Sequence, residues 1–195
     1  QWGRFDIDMH RGGRVWVRIE GWEDRRFESD PQMRKVLLFP ERHIYARRDP
    51  DGFFRVHETW RSAASRYFIA RRWLDWDELD QYAAKNPRDQ RSWLLGRMAL
   101  KDAVRQWLWD HGYGELYQIE ISVSHDAAGR PRVSGPFSED LRVSVAHKEG
   151  IAVALVAEGE DVGIDLERIE PRDEAFVRTA FTDTELELLP ATDRD

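Results

Sequence analysis

The stretch Asp161-Val-Gly-Ile-Asp-Leu-Glu167 constrains this chain more than any other, because it sets two carboxylates at i and i+2 on an otherwise apolar strand. Side chains alternate between the faces of a strand, so Asp165 and Glu167 project together. Two carboxylates held that close repel each other. A hard cation such as Mg²⁺ between them relieves the repulsion, with phosphate oxygens and water completing its octahedron. The same spacing also describes a strand end whose acids face water, and the neighbouring sequence decides between the two.

Composition removes several function classes. A chain of 195 residues, 41% hydrophobic and 12% aromatic, can build one sizeable packed domain or two small ones. Cysteine is absent, which excludes disulfide staples and thiolate metal sites and fits a cytoplasmic location. No run approaches the eighteen apolar residues of a membrane span, and the N-terminus has no charged-then-apolar signal pattern. The balance of 30 basic against 37 acidic residues, net −7, argues against a general nucleic-acid binder. Of nine tryptophans, Trp60, Trp73, Trp76, Trp93, Trp107 and Trp109 fall in or beside predicted helices, where core packing is expected.

Along the chain, residues 14–20 alternate like a strand inside a sheet, and with Gln at position 1 the sequence reads as a piece of a longer chain. Asp49-Pro-Asp-Gly52 is a turn signal, followed by a stretch of aromatic, β-branched and arginine residues to Phe68. Residues 76–85 read as a short helix broken by Asn86-Pro87, and Asp89 or Ser92 would cap a long helix to about Asp110, ended by His111-Gly-Tyr-Gly114. On that helix Leu94, Leu95, Met98, Val104, Trp107 and Leu108 form an apolar face, with Arg91, Arg97, Lys101 and Arg105 largely elsewhere. Runs at 118–124, 141–146, 151–157 and 162–167 are short, rich in Val and Ile, and predict strands. Helices at 173–180 and 183–189 follow, with Thr182 as N-cap of the second and Glu185 at its N3 position, a capping box. The fold class is mixed α/β.

Read in order, Arg91-Ser-Trp-Leu-Leu-Gly96, Gly129-Arg130-Pro131, Val143-Ser-Val-Ala-His147, Val162-Gly-Ile-Asp-Leu-Glu167 and Phe181-Thr-Asp-Thr-Glu185 resemble the motifs of the 4′-phosphopantetheinyl transferases of the larger, surfactin-synthetase-activating type, over about residues 88–189. The resemblance implies a pseudo-duplicated pair of α/β halves that moves the phosphopantetheine arm of coenzyme A to a serine of an acyl or peptidyl carrier protein. It implies that Asp165 and Glu167 bind Mg²⁺ and that Glu185 lies near the metal, holding a water or helping to deprotonate the serine. A glutamate at a helix N-terminus has a lowered pKa, which favours the water-holding role. His147, Arg91 and Ser92 would grip the 3′-phosphate, Lys148 would add a phosphate contact, and Gly129, Arg130 and Pro131 would lie against the adenine. Ala146 departs from the family serine before the histidine, and His125 is a rival that stands on the wrong side of the Gly-Arg-Pro turn.

Family members continue to a Trp-x-x-Lys-Glu-Ala helix, whereas this sequence stops at Asp195, which implies an incomplete catalytic set. Residues 1–60 have no clear counterpart in stand-alone transferases. Val15–Glu20 with Arg34–Phe39 resemble the last strands of a hot-dog dehydratase-like domain, as found ahead of such transferases in polyketide synthase-like multidomain proteins, the alternative being an N-terminal extension packed on the transferase, and 61–195 is the transferase domain. Two other readings stand beside this one. The first is a non-catalytic transferase-like scaffold that docks a carrier or neighbouring domain, and the second a hot-dog dehydratase or thioesterase-like domain filling most of the chain.

Overall fold

The computed structural model describes residues 2–25, 30–60, 62–170, 174–182 and 184–185. It is a mixed α/β protein. In order it runs β1 (Trp2–Arg11), β2 (Arg14–Arg25), α1 (Pro31–Leu38), β3 (Arg47–Arg48), β4 (Phe54–His57), α2 (Ala63–Trp73), α3 (Trp76–Ala84) and α4 (Pro87–Asp110). A 3₁₀ turn at Gln118–Glu120 leads to β5 (Ser122–His125), β6 (Pro131–Ser134), β7 (Leu141–Lys148), β8 (Ile151–Glu158) and α5 (Glu174–Ala180). Strands β1 and β2 form a hairpin, and the other six form one sheet in the order β3-β4-β8-β7-β6-β5, with every pairing antiparallel.

Turn chemistry sets both long hairpins. Gly12 and Gly13 connect Arg11 to its partner Arg14 with φ of 57° and 76°, and Glu149 and Gly150 connect Lys148 to Ile151 with φ of 48° and 79°. Positive φ at both central residues is the turn whose twist matches two antiparallel strands. In the first hairpin Phe5, Ile7 and Met9 share a face with Trp22, Ile19 and Val17, while Asp8 and Arg18 pair on the other. At Asp49-Pro-Asp-Gly52 the expected turn forms: Gly52 N–H donates to the Asp49 carbonyl at 2.9 Å and brings β3 back onto β4.

Helix starts follow their caps. Asp30 accepts from the N–H groups of Gln32 and Met33 with Pro31 in the first turn, so residues 34–39, read from sequence as strand, are helical as far as Leu38. Ser62 caps α2, a helix the mixed aromatic and arginine pattern of 53–68 does not announce. Asp75 and Glu78 make a reciprocal capping box on α3. On α4 the cap is Asn86, accepting from Arg88 and Asp89 N–H, rather than Asp89 or Ser92. As expected, the preceding helix ends before Asn86-Pro87, at Ala84, and Pro87 also starts α4, since its fixed φ suits the first turn and its missing N–H is not needed there.

The core lies between the sheet and α4, with α2 and α3 packed on the helix's other side. A helix covered on both sides is buried nearly all round. Three of the four basic residues placed away from the apolar face by sequence are therefore inside: Arg97, Lys101 and Arg105 are buried, whereas Arg91, near the start of the helix, is exposed. Each has an acidic neighbour. Lys101 donates to Glu78 and, at 2.7 Å, to the Trp73 carbonyl; Arg97 lies 3.4 Å from Glu78; and Arg105 lies 3.4 Å from Asp102 and donates to the Leu116 carbonyl at 2.9 Å. Asp102 also accepts from Tyr45 N–H at 2.8 Å, Ala46 N–H at 2.9 Å and the Trp73 indole at 3.2 Å. Among the tryptophans expected in the core, Trp73 is fully buried, but Trp76 is 77% exposed because it stands at the first position of α3, on the solvent side.

Gly96 sets how closely α4 approaches the sheet. A Cβ built there would sit 3.5 Å from both His147 Cδ2 and Val145 Cγ2, which is ordinary contact. Gly96→Ala should therefore hold or raise the melting temperature, since alanine costs about 1 kcal/mol less than glycine inside a helix. Gly96→Val should lower it, because its γ-methyls must displace β7. Equal melting temperatures for the two variants would contradict this packing. Among the described residues no helix is long and apolar enough to cross a membrane.

Candidate functional site

The segment Asp161–Glu167 is not a strand in the structure, contrary to the sequence expectation. It keeps the strand's alternation without a ladder: Val162, Ile164 and Leu166 are half-buried, while Asp161, Gly163, Asp165 and Glu167 are exposed. The reason lies in the sheet edge. Strand β6 pairs with β7 only at Arg132 and Arg142, which leaves the rest of that edge of β7 without a strand, and the segment meets β7 through the side chains of Arg142, Ser144 and Lys148. Asp161 meets Arg130 at 3.3 Å and Arg142 at 3.9 Å; Ile164 N–H donates to Ser144 Oγ at 3.1 Å; and Lys148 Nζ donates to Glu167. These contacts advance along β7 as the segment advances, so the two run parallel. Asp165 falls between the Ser144 and Lys148 contacts, exposed on the same side as Glu167.

One end of this edge carries the Gly129-Arg130-Pro131 turn. Asp126 builds it, its carboxylate accepting from Ala128 N–H at 3.0 Å and Arg130 N–H at 2.9 Å, and Gly129 supplies φ of 79°. The bond from Arg130 N–H holds the Asp126 carboxyl below its ordinary range. Arg130, Pro131, Arg142, Ser144 and Asp161 line a cavity of 340 Å³ there.

The other end lies where β7 finishes against the start of α4. His147 is exposed and lies against Gly96, and Ser92 is one helical turn before Gly96 on α4. Arg91 and Ser92 line a larger cavity, 960 Å³, with Arg66, Arg88, Glu58 and Glu149. Ser92 Oγ donates to the Asp89 carbonyl at 3.2 Å. Glu58 was not singled out from sequence, since nothing local to His57-Glu-Thr-Trp60 marks it; it pairs with Arg91 from 33 residues away, with Nη2 to Oε2 at 2.5 Å and Nε to the two oxygens at 3.2 and 3.1 Å. Arg66 and Arg88 were missed for the same reason.

His125, the rival histidine, ends β5, four strands' breadth of sheet from β4 and apart from both cavities. Burial, with Arg97 and Lys85 nearby, pushes its imidazole below the ordinary histidine value. Glu185 makes the expected capping box: it accepts from Thr182 N–H and Oγ1 at 2.8 Å, and the Thr182 N–H holds its carboxyl below the usual glutamate value. The rest of the expected 183–189 helix lies outside the described residues apart from positions 184 and 185.

Among the described residues no three His, Asp or Glu side chains form a group that could hold a metal, so Glu185 does not join Asp165 and Glu167 in one. The donor set still suits Mg²⁺, which commonly takes one or two carboxylates and leaves its other positions to water and phosphate oxygens. Two exposed carboxylates with open solvent in front of them meet that description.

No protein-family model matches the chain. Its sequence is 27% identical over 103 residues to a holo-[acyl-carrier-protein] synthase of Exiguobacterium sibiricum, covering 51% of this chain and 80% of that one. Among solved structures, a holo-(acyl-carrier-protein) synthase of Bacillus anthracis in complex with CoA (3′,5′-ADP) aligns over 56% of this chain and 95% of its own, at 22% identity and a TM-score of 0.48. A Helicobacter pylori holo-[acyl-carrier-protein] synthase in complex with coenzyme A aligns over 55% of this chain and 98% of its own, at 21% identity and a TM-score of 0.40.

Proposed function

We propose that the protein transfers the 4′-phosphopantetheine arm of coenzyme A to a serine hydroxyl of an acyl carrier protein, with Mg²⁺ at Asp165 and Glu167. The observation that carries this reading is the disposition of the motifs along one edge: Asp165 and Glu167 exposed together beside β7, the Gly129-Arg130-Pro131 turn at one end and Arg91, Ser92 and His147 at the other. The sequence likeness to a holo-[acyl-carrier-protein] synthase supports the same reaction class.

In this reading the 3′-phosphate lies at the start of α4. The Arg91 guanidinium supplies charge and N–H donors and Ser92 a hydroxyl, in a cavity that also holds Arg66 and Arg88 beside Glu58, Asp89 and Glu149, and His147 stands on β7 against Gly96. Arg130 and Pro131 flank the adenine. Lys148 holds the Glu167 carboxylate in place and lies within reach of the pyrophosphate. The incoming serine hydroxyl gives up its proton to solvent water as its oxygen forms a bond to the pantetheine-side phosphorus and the bond to the bridging oxygen breaks, releasing adenosine 3′,5′-bisphosphate. A bound Mg²⁺ would neutralise charge developing on that leaving phosphate. Glu185, its pKa lowered by its own helix cap, stays ionised through neutral pH and suits the orienting of a water better than the uptake of a proton.

Isothermal titration with coenzyme A, with and without Mg²⁺, tests the binding half of this reading. Binding strengthened by Mg²⁺ is expected, and Arg91→Ala should weaken it by about tenfold, the loss of a charge-assisted pair. An absence of binding under both conditions would favour the scaffold reading.

A further inference from the structure

We propose that Glu58, a residue outside the region that resembles the transferases, is a positioning residue: it fixes the Arg91 guanidinium so that its remaining N–H groups face the 3′-phosphate. This inference rests on the coenzyme A reading above. Glu58 is suited to hold rather than to be held. Its side chain is 8% exposed against 57% for Arg91. Its backbone is fixed too, because Glu58 N–H donates to the Gly150 carbonyl at 2.8 Å, which ties the end of β4 to the β7–β8 turn. Arg91 in contrast sits in the first turns of α4 with a long, mobile side chain.

The contact is made by one edge of the guanidinium. Nε and Nη2 are turned to the Glu58 carboxylate, with Nη2 to Oε2 at 2.5 Å. A guanidinium carries five N–H groups, so three remain: both on Nη1 and the second on Nη2. Arg91 lines the 960 Å³ cavity together with Ser92, Arg66 and Arg88. Holding a flexible arginine in its binding geometry before the ligand arrives removes an ordering cost that the ligand would otherwise meet.

Charge alone makes the opposite prediction, which allows a clean test. A carboxylate beside a phosphate site weakens its field, so if Glu58 acted only by charge or as an internal competitor, its removal would tighten binding. We expect Glu58→Ala to weaken coenzyme A by about tenfold while leaving 3′-dephospho-coenzyme A unchanged, as an arginine that loses its fixed geometry loses its paired hydrogen bonds. Glu58→Gln keeps one acceptor oxygen and should recover part of the loss. Adding Arg91→Ala to Glu58→Ala should cost nothing beyond Arg91→Ala alone, since both act through one guanidinium. Titration calorimetry of wild type and these four variants against both ligands gives every comparison, and the Gln variant guards against misfolding of the Ala variant. Tighter coenzyme A binding by Glu58→Ala, or equal losses for both ligands, would overturn the role of Glu58. A wild type that binds the two ligands equally would overturn the 3′-phosphate site itself.

Discussion

Asp165→Asn and Glu167→Gln should each abolish the Mg²⁺ dependence of coenzyme A binding and lower phosphopantetheine transfer by about a hundredfold or more. That magnitude is what losing a few kcal/mol of charge stabilisation at a transferring phosphoryl group costs. Both substitutions keep volume and hydrogen-bonding reach and remove only the charge that a magnesium ion requires. Neither should disturb folding, because both side chains are exposed and the segment is also held to β7 through Asp161 and Ile164. Glu167 has a second attachment, to Lys148. The Gln variant would thus also loosen Lys148, and its loss should be at least as large as that of Asp165→Asn. Variants that keep the metal response of the wild type would remove these residues from the site.

The largest effect on stability is expected from Asp102→Ala. Asp102 and Arg105 have no side-chain exposure, and the Asp102 carboxylate is the shared acceptor for Tyr45 N–H, Ala46 N–H and the Trp73 indole. Burial pushes the Asp102 carboxyl up and the Arg105 guanidinium down, and each charge opposes the shift of the other. Removing the carboxylate leaves a buried cation with only the Leu116 and Pro40 carbonyls as partners, and three buried donors without their acceptor. The cost of breaking such a pair from one side is about 3–5 kcal/mol. For a chain of this size that corresponds to a fall in melting temperature of roughly 6–20 °C. Thermal unfolding followed by circular dichroism measures it, and a fall no larger than that of a surface substitution would mean that this network is not what joins α4 to residues 45 and 46.

The parts of the fold legible in sequence are those whose signals are local. Strands β7 and β8 and helix α3 form where short apolar runs and a capping residue point the same way. The failures have physical causes. Val36-Leu37-Leu38 is a short apolar run that fits a strand as readily as a helix, and Asp30-Pro31 upstream settles it as α1. The 162–167 pattern has a strand's period, but period does not supply a neighbour, and the segment lies along β7 with a side-chain hydroxyl where a backbone partner would stand. Arg97, Lys101 and Arg105 read as a polar face because solvent is the usual explanation for charge; only the covering of α4 by α2 and α3 reveals that they are buried with Glu78 and Asp102. The proposed site divides in the same way. Asp165, Glu167, His147 and the Gly-Arg-Pro turn are short motifs and could be picked out directly, whereas Glu58 reaches Arg91 across 33 positions and carries no local mark.

Transfer of the arm can be read from the mass of a carrier protein. Apo acyl carrier protein incubated with this protein, coenzyme A and Mg²⁺ should gain the mass of one phosphopantetheine arm on its serine, and the gain should disappear with Asp165→Asn or on chelation of the metal. A carrier protein of unchanged mass, with the protein folded and coenzyme A bound, would contradict it.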